Sequence, residues 1–263
     1  MFRIRQPIPR WMELCLGAVP FVVLGLLWWL TTLGAPEERV VPISILPSPG
    51  EVWDGLPTLW HDKALLRNVG VSLGRVVKGF GFGLVVALPT GIAMGTFTPI
   101  RSLFGAASMA LGYLPIVALV PLTIAIFKIG EAQKVFFLAF ATFVYILPLI
   151  VKAVSEVPEH FLQTAWTLGA TRFQTVTRVL VPIALPDIWD GLRLSFGVGW
   201  TWILVAEMVG ANDGLGYLIL LAQRRGQLEH VYPVLMVITV LAFATDRVFV
   251  VVGNLLFPHK VTQ

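Results

Sequence analysis

One carboxylate stands out in a chain short of reactive groups. Glu207 lies within the apolar run 188–209, where a charged side chain costs about 2.5–3.5 kcal/mol at mid-bilayer on insertion scales. It must face neighbouring helices or an aqueous path. Two readings stand: a gate or pathway residue, or a structural polar contact near the outer interface. On the same run Gly191, Ser195 and Gly199 recur every fourth residue, a small-residue face that would line a pore or dimer seam or, more commonly, serve close helix packing. Trp200 and Trp202 lie beside that face, as pathway or packing residues. Asp187 and Asp190 precede or open the helix, where its dipole favours acids. Asp246 and Arg247 lie in the last apolar run and either pair with neighbours or snorkel.

None of these groups assembles into enzyme chemistry. The four histidines, His61, His160, His230 and His259, fall outside the apolar cores, which argues against a serine-type hydrolase with a histidine base inside the membrane. There is no G-x-x-x-x-G-K phosphate loop and no H-E-x-x-H zinc motif, so neither ATP binding nor zinc chemistry is expected of this chain. The single cysteine, Cys15, excludes an internal disulfide and reads as a small buried hydrophobe in an apolar run.

Composition sets the frame that positions these residues. Of 263 residues 57% are hydrophobic and 13% charged, against roughly 45–50% and about 25% in ordinary soluble domains. That balance excludes a soluble globular enzyme and predicts an all-α membrane protein. The net charge of +4 is scattered, without the basic run a nucleic-acid partner would call for.

Arg3, Arg5 and Arg10 precede an apolar run from 14 to 33 that is too long for a secretory core and shows no small-residue cleavage site. It predicts a retained first span over 13–34, with a cytoplasmic tail at 1–12. Residues 35–72 form a periplasmic or interfacial segment. Within it Ser48-Pro49-Gly50-Glu51 spells a capping box with proline at the first helical position. Val52, Leu56, Leu59 and Trp60 would share a face, and Pro57 should cut that helix short. Leu65, Val69, Leu73 and Val77 follow at helical spacing, with Arg67, Arg75 and Lys78 expected on the opposite face.

The core permits five further spans, over 79–97, 103–127, 135–151, 188–209 and 231–256, making six. Gly79/Gly83 and Gly91/Gly95 are two G-x-x-x-G pairs that let helix backbones approach. Pro115, Pro121 and Pro148 interrupt the third and fourth spans, freeing carbonyls that neighbours or a wet cavity must satisfy.

Between spans four and five, residues 155–186 are too polar to span and too apolar for a free loop. An amphipathic helix carrying Glu159, Phe161, Leu162, Gln163, Thr164, Ala165 and Leu168 is expected to stop at Gly169, the residue best able to take a left-handed turn. A second helix, from 171 to 181, carries Arg172 and Arg178 and is expected to end before Pro182.

Here the sequence resembles a known family. Gln163-Thr164-Ala165-x-x-x-Gly169 followed by Val179-Leu180-Val181-Pro182 is similar to the E-A-A-x(3)-G-x(9)-I-x-L-P signature of the membrane subunits of binding-protein-dependent ABC importers. Gln163, Thr164, Val179 and Val181 depart from its commonest residues. The resemblance continues through Ile183-Ala184-Leu185-Pro186, Gly191-Leu192-Arg193, Ala206-Glu207-Met208 and Gly214-Leu215-Gly216-Tyr217-Leu218-Ile219. With Leu46-Pro47-Ser48-Pro49 it looks like the nitrate/sulfonate/taurine branch.

The resemblance implies a single permease domain over 1–263 with a type I ABC importer permease fold, residues 73–263 forming its core. The segment 155–186 would be a cytoplasmic coupling helix docking on an ATPase subunit. Glu159, Phe161, Leu162, Gln163, Thr164, Ala165, Leu168, Gly169, Arg172 and Pro182 would serve that contact, and Ser195, Gly199, Trp200, Trp202 and Glu207 would be the candidates for the translocation path. The implied partners are two ATPase copies holding ATP and Mg, a periplasmic or lipid-anchored binding protein, a second permease copy, and membrane lipid. No cofactor is expected on this chain. Both termini would be cytoplasmic in a bacterial inner membrane, and the solute a small anion. The competing expectation is a self-sufficient six-helix secondary transporter or channel.

Overall fold

The computed structural model describes residues 9–35, 39–43, 45–61 and 64–258. Arg3, Arg5, His259 and Lys260 lie outside them, as does the side chain of His61. All regular structure among the described residues is helical. The helices are α1 (Arg10–Thr31), α2 (Pro49–His61), α3 (Leu65–Thr96), α4 (Thr98–Gly112), a 3₁₀ turn (Ile116–Leu119) with α5 (Val120–Phe127), α6 (Glu131–Ser155), α7 (Glu159–Thr167), α8 (Arg172–Thr175), α9 (Val181–Met208), α10 (Leu215–Arg224) and α11 (Leu228–Leu256).

Four of these, α1, α3, α6 and α11, are long and apolar enough to cross a membrane, and α4 with the segment Ile116–Phe127 makes a fifth if that pair, bent by 93°, is one span. Helix α9 is 28 residues long but carries Asp187, Asp190, Arg193 and Glu207 and is not among them. The bend falls at Pro115, whose extended backbone separates α4 from the 3₁₀ turn. Helix α1 buries none of its residues, so Cys15 is exposed on it rather than buried; its apolar surface is suited to lipid.

The centre of the bundle is the pairing of α3 with α6. A methyl group on Gly83 would come within 2.6 Å of the Ala139 carbonyl, and on Gly91 within 2.7 Å of Ile150. On Gly95 it would come within 2.6 Å of Val154, and Gly79 is as tightly covered by Leu138. Both G-x-x-x-G pairs therefore sit on one seam, where the absence of a side chain lets two long helices touch along their length. Ala87 continues the four-residue rhythm between them and is fully buried.

Local rules hold at α2. Ser48 N donates to Glu51 Oε2 at 2.7 Å and Glu51 N to Ser48 Oγ at 3.3 Å, completing the capping box. Arg39 pairs with Glu51 at 3.0 Å and holds its carboxyl below the usual carboxylate range. Pro57, however, does not cut the helix short, since α2 runs through it to His61. Burial of Val52 and Leu59 against the bundle outweighs the one helical bond that proline cannot donate. Trp60 is exposed and does not share that buried face.

Arg75 does not lie on the outer face of α3: it is 3% exposed, on a buried stripe with Asn68, Ser72, Val76 and Gly79. Nor does a helix end before Pro182. Helical backbone continues from α8 into α9 through a π turn at Val176–Leu180. Proline ordinarily clashes with the carbonyl four residues back; the wider turn just before Pro182 relieves that clash. Asp187 and Asp190 consequently sit well inside a helix, so the dipole rationale for them falls.

Candidate functional site

Three features could serve function, and they lie at different depths. Helix α6 leads from an ion cluster at its first residue, Glu131, to a hairpin beyond its last, Ser155. At 1.5 Å per residue those ends are about 36 Å apart.

The hairpin is α7, Gly169 and α8. Gly169 has φ +79°, and its N–H donates to the Trp166 carbonyl at 2.9 Å while Ala170 N donates to the Ala165 carbonyl at 3.0 Å. This pair of bonds is a Schellman cap, which consumes carbonyls the ended helix leaves free. The next helix starts at once: Thr171 Oγ1 accepts from Gln174 N, and Gln174 Oε1 accepts from Thr171 N at 2.9 Å. A turn closed on both sides in three residues is rigid.

Its faces divide cleanly. Ala165 is buried and Leu162 packs on a core cluster with Ile150, Val154 and Leu180. Phe161 and Leu168 point away, Leu168 being 82% exposed. Glu159, Gln163, Thr164 and Arg172 are exposed as well, as is Pro182 at the start of α9. Trp166 and Phe173, which the sequence reading left without a role, are exposed beside them. The hairpin thus presents an apolar patch outside the bundle and is fastened by its other side.

At mid-depth a cavity of about 440 Å³ is lined by Leu114, Pro115, Val144, Tyr145, Pro148 and Trp202. The broken backbone at Pro115 opens onto it, as irregular backbone at membrane depth requires. Ser195, Gly199 and Trp202 line an adjoining crevice against α6. Trp200 faces elsewhere: it is 2% exposed in the main hydrophobic core, its indole donating to Thr245 Oγ1 at 3.2 Å. Gly191 packs 3.2 Å from Leu149, measured from the Cβ it lacks, whereas Gly199 has ordinary room at 3.6 Å from Val76.

At the far end Glu207 is fully buried and belongs to an ion cluster. Arg75 Nη1 donates to Glu207 Oε1 at 2.8 Å and to the Asp213 carbonyl at 2.9 Å. Arg75 Nε donates to Glu131 Oε2 at 2.9 Å, and Nη2 reaches both Glu131 and Asp213. Ser72 Oγ donates to the Glu207 carboxylate at 2.8 Å and accepts from Leu215 N at 2.8 Å. Gly216 N donates to Glu207 Oε2 at 2.9 Å, and Asn68 Oδ1 accepts from Gly214 N at 2.6 Å. One carboxylate therefore ties α3, α9 and α10 together, and Arg75 adds α6.

That arrangement favours the structural reading of Glu207 over the gate. The sequence reading missed Arg75, Ser72, Asn68, Glu131 and Asp213 as its partners. A signal existed: Asn68, Ser72 and Arg75 repeat at i, i+4, i+7, a polar stripe on one helix face. Asp246 pairs with Arg193 at 2.9 Å, and Arg247 lies 4.7 Å over the Phe243 ring.

An all-helical bundle with several helices of membrane-crossing length and apolarity defines the class as a multi-pass membrane protein. The chain belongs to the binding-protein-dependent transport system inner membrane component family, whose model matches residues 69–257. It is 30% identical over 247 residues to the taurine transport system permease protein TauC of Escherichia coli (strain K12), covering 92% of this chain and 88% of that one. Against the nitrate import permease protein NrtB of Synechocystis sp. the identity is 24% over 251 residues, with 92% and 89% covered. An inward-facing structure of the MetNI methionine ABC transporter superposes with a TM-score of 0.65 at 20% identity, covering 75% of this chain and 97% of that one.

The chain is accordingly an ABC importer permease of the nitrate/sulfonate/taurine branch, multi-pass in the inner membrane. Members of the family are permease components rather than enzymes, and ATP hydrolysis belongs to a separate subunit. A self-sufficient secondary transporter is not favoured.

Proposed function

We infer that this permease forms the path for a small oxyanion, delivered by a periplasmic or lipid-anchored binding protein. Two ATPase subunits, holding the ATP and Mg, drive it through the hairpin. The observation that carries this is the hairpin itself: a doubly capped turn around Gly169, fastened by Ala165 and Leu162, with Phe161, Leu168 and Phe173 turned outward. An amphipathic helix offered rigidly outside its own bundle suits docking in a groove on another protein.

Counting α9 and the bent α4–α5 pair gives six crossings, with both termini on the hairpin side and therefore cytoplasmic. A homodimer would place two such chains around one path. No cofactor is needed on this chain. The names of the relatives, taurine and nitrate permeases, support an anion with a sulfonate or nitrate-like face.

The test is co-purification of the cognate ATPase with the parental chain, and its loss with a Phe161→Asp/Leu168→Asp double variant that still folds. ATPase retained by the double variant would count against the hairpin as the dock. In a Cys15→Ala background, labelling of Leu168→Cys from the cytoplasmic side alone is expected; labelling from outside would overturn the orientation.

A further inference from the structure

Resting on the importer reading, the geometry points to a mid-depth subsite for the oxygen face of a small oxyanion, built from neutral donors: the Trp202 indole N–H and the Ser195 hydroxyl, beside Tyr145. Ser195 Oγ and Trp202 Nε1 are both buried and have no hydrogen-bond partner. Ser195 is 3% exposed. The two line one crevice between α6 and α9 together with Tyr145, closed to a water-sized molecule in this conformation, so an anion reaches Ser195 only where α6 and α9 part. Trp202 and Tyr145 also line the adjoining cavity of about 440 Å³, next to the break at Pro115.

Among the described residues Thr96 Oγ1 is also buried without a partner, but most hydroxyls and indoles of the bundle find one. The hydroxyls of Thr90, Thr123, Thr239 and Thr245 each turn back onto a carbonyl of their own helix at 2.8–2.9 Å. The indoles of Trp28, Trp189 and Trp200 each reach an acceptor. Ser195 and Trp202 do neither, although they face the same gap. A buried donor without an acceptor costs its full desolvation, and an arriving acceptor recovers that cost.

The chemistry of the ligand follows from the donor set. Nitrate and sulfonate oxygens only accept hydrogen bonds, so N–H and O–H groups complement them. No residue lining the crevice or the cavity is charged. Neutral donors offset part of an anion's dehydration without holding it as a formal cation would, and transit requires binding weak enough to leave. Toward the hairpin, Arg101, Lys152 and Glu156 line the next cavity, of about 450 Å³, which shares Pro148 with the first, and Lys152 pairs there with Glu156 at 3.8 Å. With Lys152 paired to Glu156, the cation an anion meets on the hairpin side is Arg101.

The test uses the full transporter, with its ATPase and binding protein, in proteoliposomes. Initial ATP-dependent uptake of taurine, ethanesulfonate and nitrate is measured against concentration. Trp202→Phe and Ser195→Ala each remove one donor and are expected to lower the maximal rate about five- to tenfold, the scale of one lost hydrogen bond. Half-saturation, set by the binding protein, should stay put. Ser195→Thr restores the hydroxyl and should return uptake to within about twofold of the parent, again on the scale of one hydrogen bond. Thr90→Ala, whose hydroxyl serves its own helix, should keep the parental rate. Parental rates in both donor-removing variants, or a Ser195→Thr chain as slow as Ser195→Ala, would overturn the subsite and leave the importer standing. If Trp202→Phe fails to fold, the two Ser195 variants still decide. A parental complex that takes up none of the three solutes overturns the oxyanion importer itself, and the subsite with it.

Discussion

Removing one member of a buried ion pair leaves the other charged and desolvated, a loss of about 3–5 kcal/mol. At the Arg75–Glu207 pair the two directions of removal are not equivalent. Arg75→Met strands Glu207, which is fully buried and accepts there from Ser72 and Gly216. Glu207→Gln leaves Arg75 with Glu131 and Asp213, both partly open to solvent. Thermal unfolding in detergent should therefore rank Arg75→Met as the more damaging change. Equal losses would mean that the pair is not the centre of the cluster. Gly214→Ala should be as harmful as Arg75→Met, because its φ of +104° is a left-handed conformation and a Cβ there would overlap the Glu207 carboxylate.

Among the elements, the α3–α6 seam makes a sharper demand than sequence composition suggests. Gly83→Val or Gly91→Val should cost about 1–3 kcal/mol through overpacking, whereas Gly81→Ala, which meets nothing within 4 Å, should be neutral or slightly stabilising. The measurement is again the unfolding midpoint, and a damaging Gly81→Ala would contradict it. At α2, the lowered Glu51 pKa gives stability that is present above the unfolded value of about 4.3 and lost as pH falls through the folded one. Glu51→Gln should flatten that acid limb by less than about 1 kcal/mol.

These elements also show what a one-dimensional pattern can carry. The glycine pairs, the capping box and the Gly169 stop all depend on residues within four positions of each other, and each was legible. The ion cluster was not, because Arg75 lies 132 residues from Glu207 and 138 from Asp213 in sequence. Arg75 was expected on the outer face of α3 because the contacts that bury it come from residues far along the chain. Pro57 and Pro182 misled for a related reason: local propensity predicts a stop, and tertiary burial or a π turn overrides it. Helix α10, short and between two loops, left no periodic run long enough to see.

For the whole molecule, the hairpin is where force would enter. Gly169→Val puts a β-branched residue at φ +79°, a conformation it resists, and should disturb the cap without touching the core. ATP hydrolysis stimulated by loaded binding protein should then proceed with solute uptake reduced by about tenfold, a loss of about 1.4 kcal/mol of coupling. Wild-type uptake at equal expression would refute the assignment.

The unbroken run from Arg172 to Met208, π turn included, is a single strut of about 55 Å at 1.5 Å per residue. Its near tip holds Phe173 and its far tip holds Glu207. No slack loop separates the two, so a nudge delivered at one tip cannot be absorbed on the way. The knot of charges at the other tip must either travel with it or come undone.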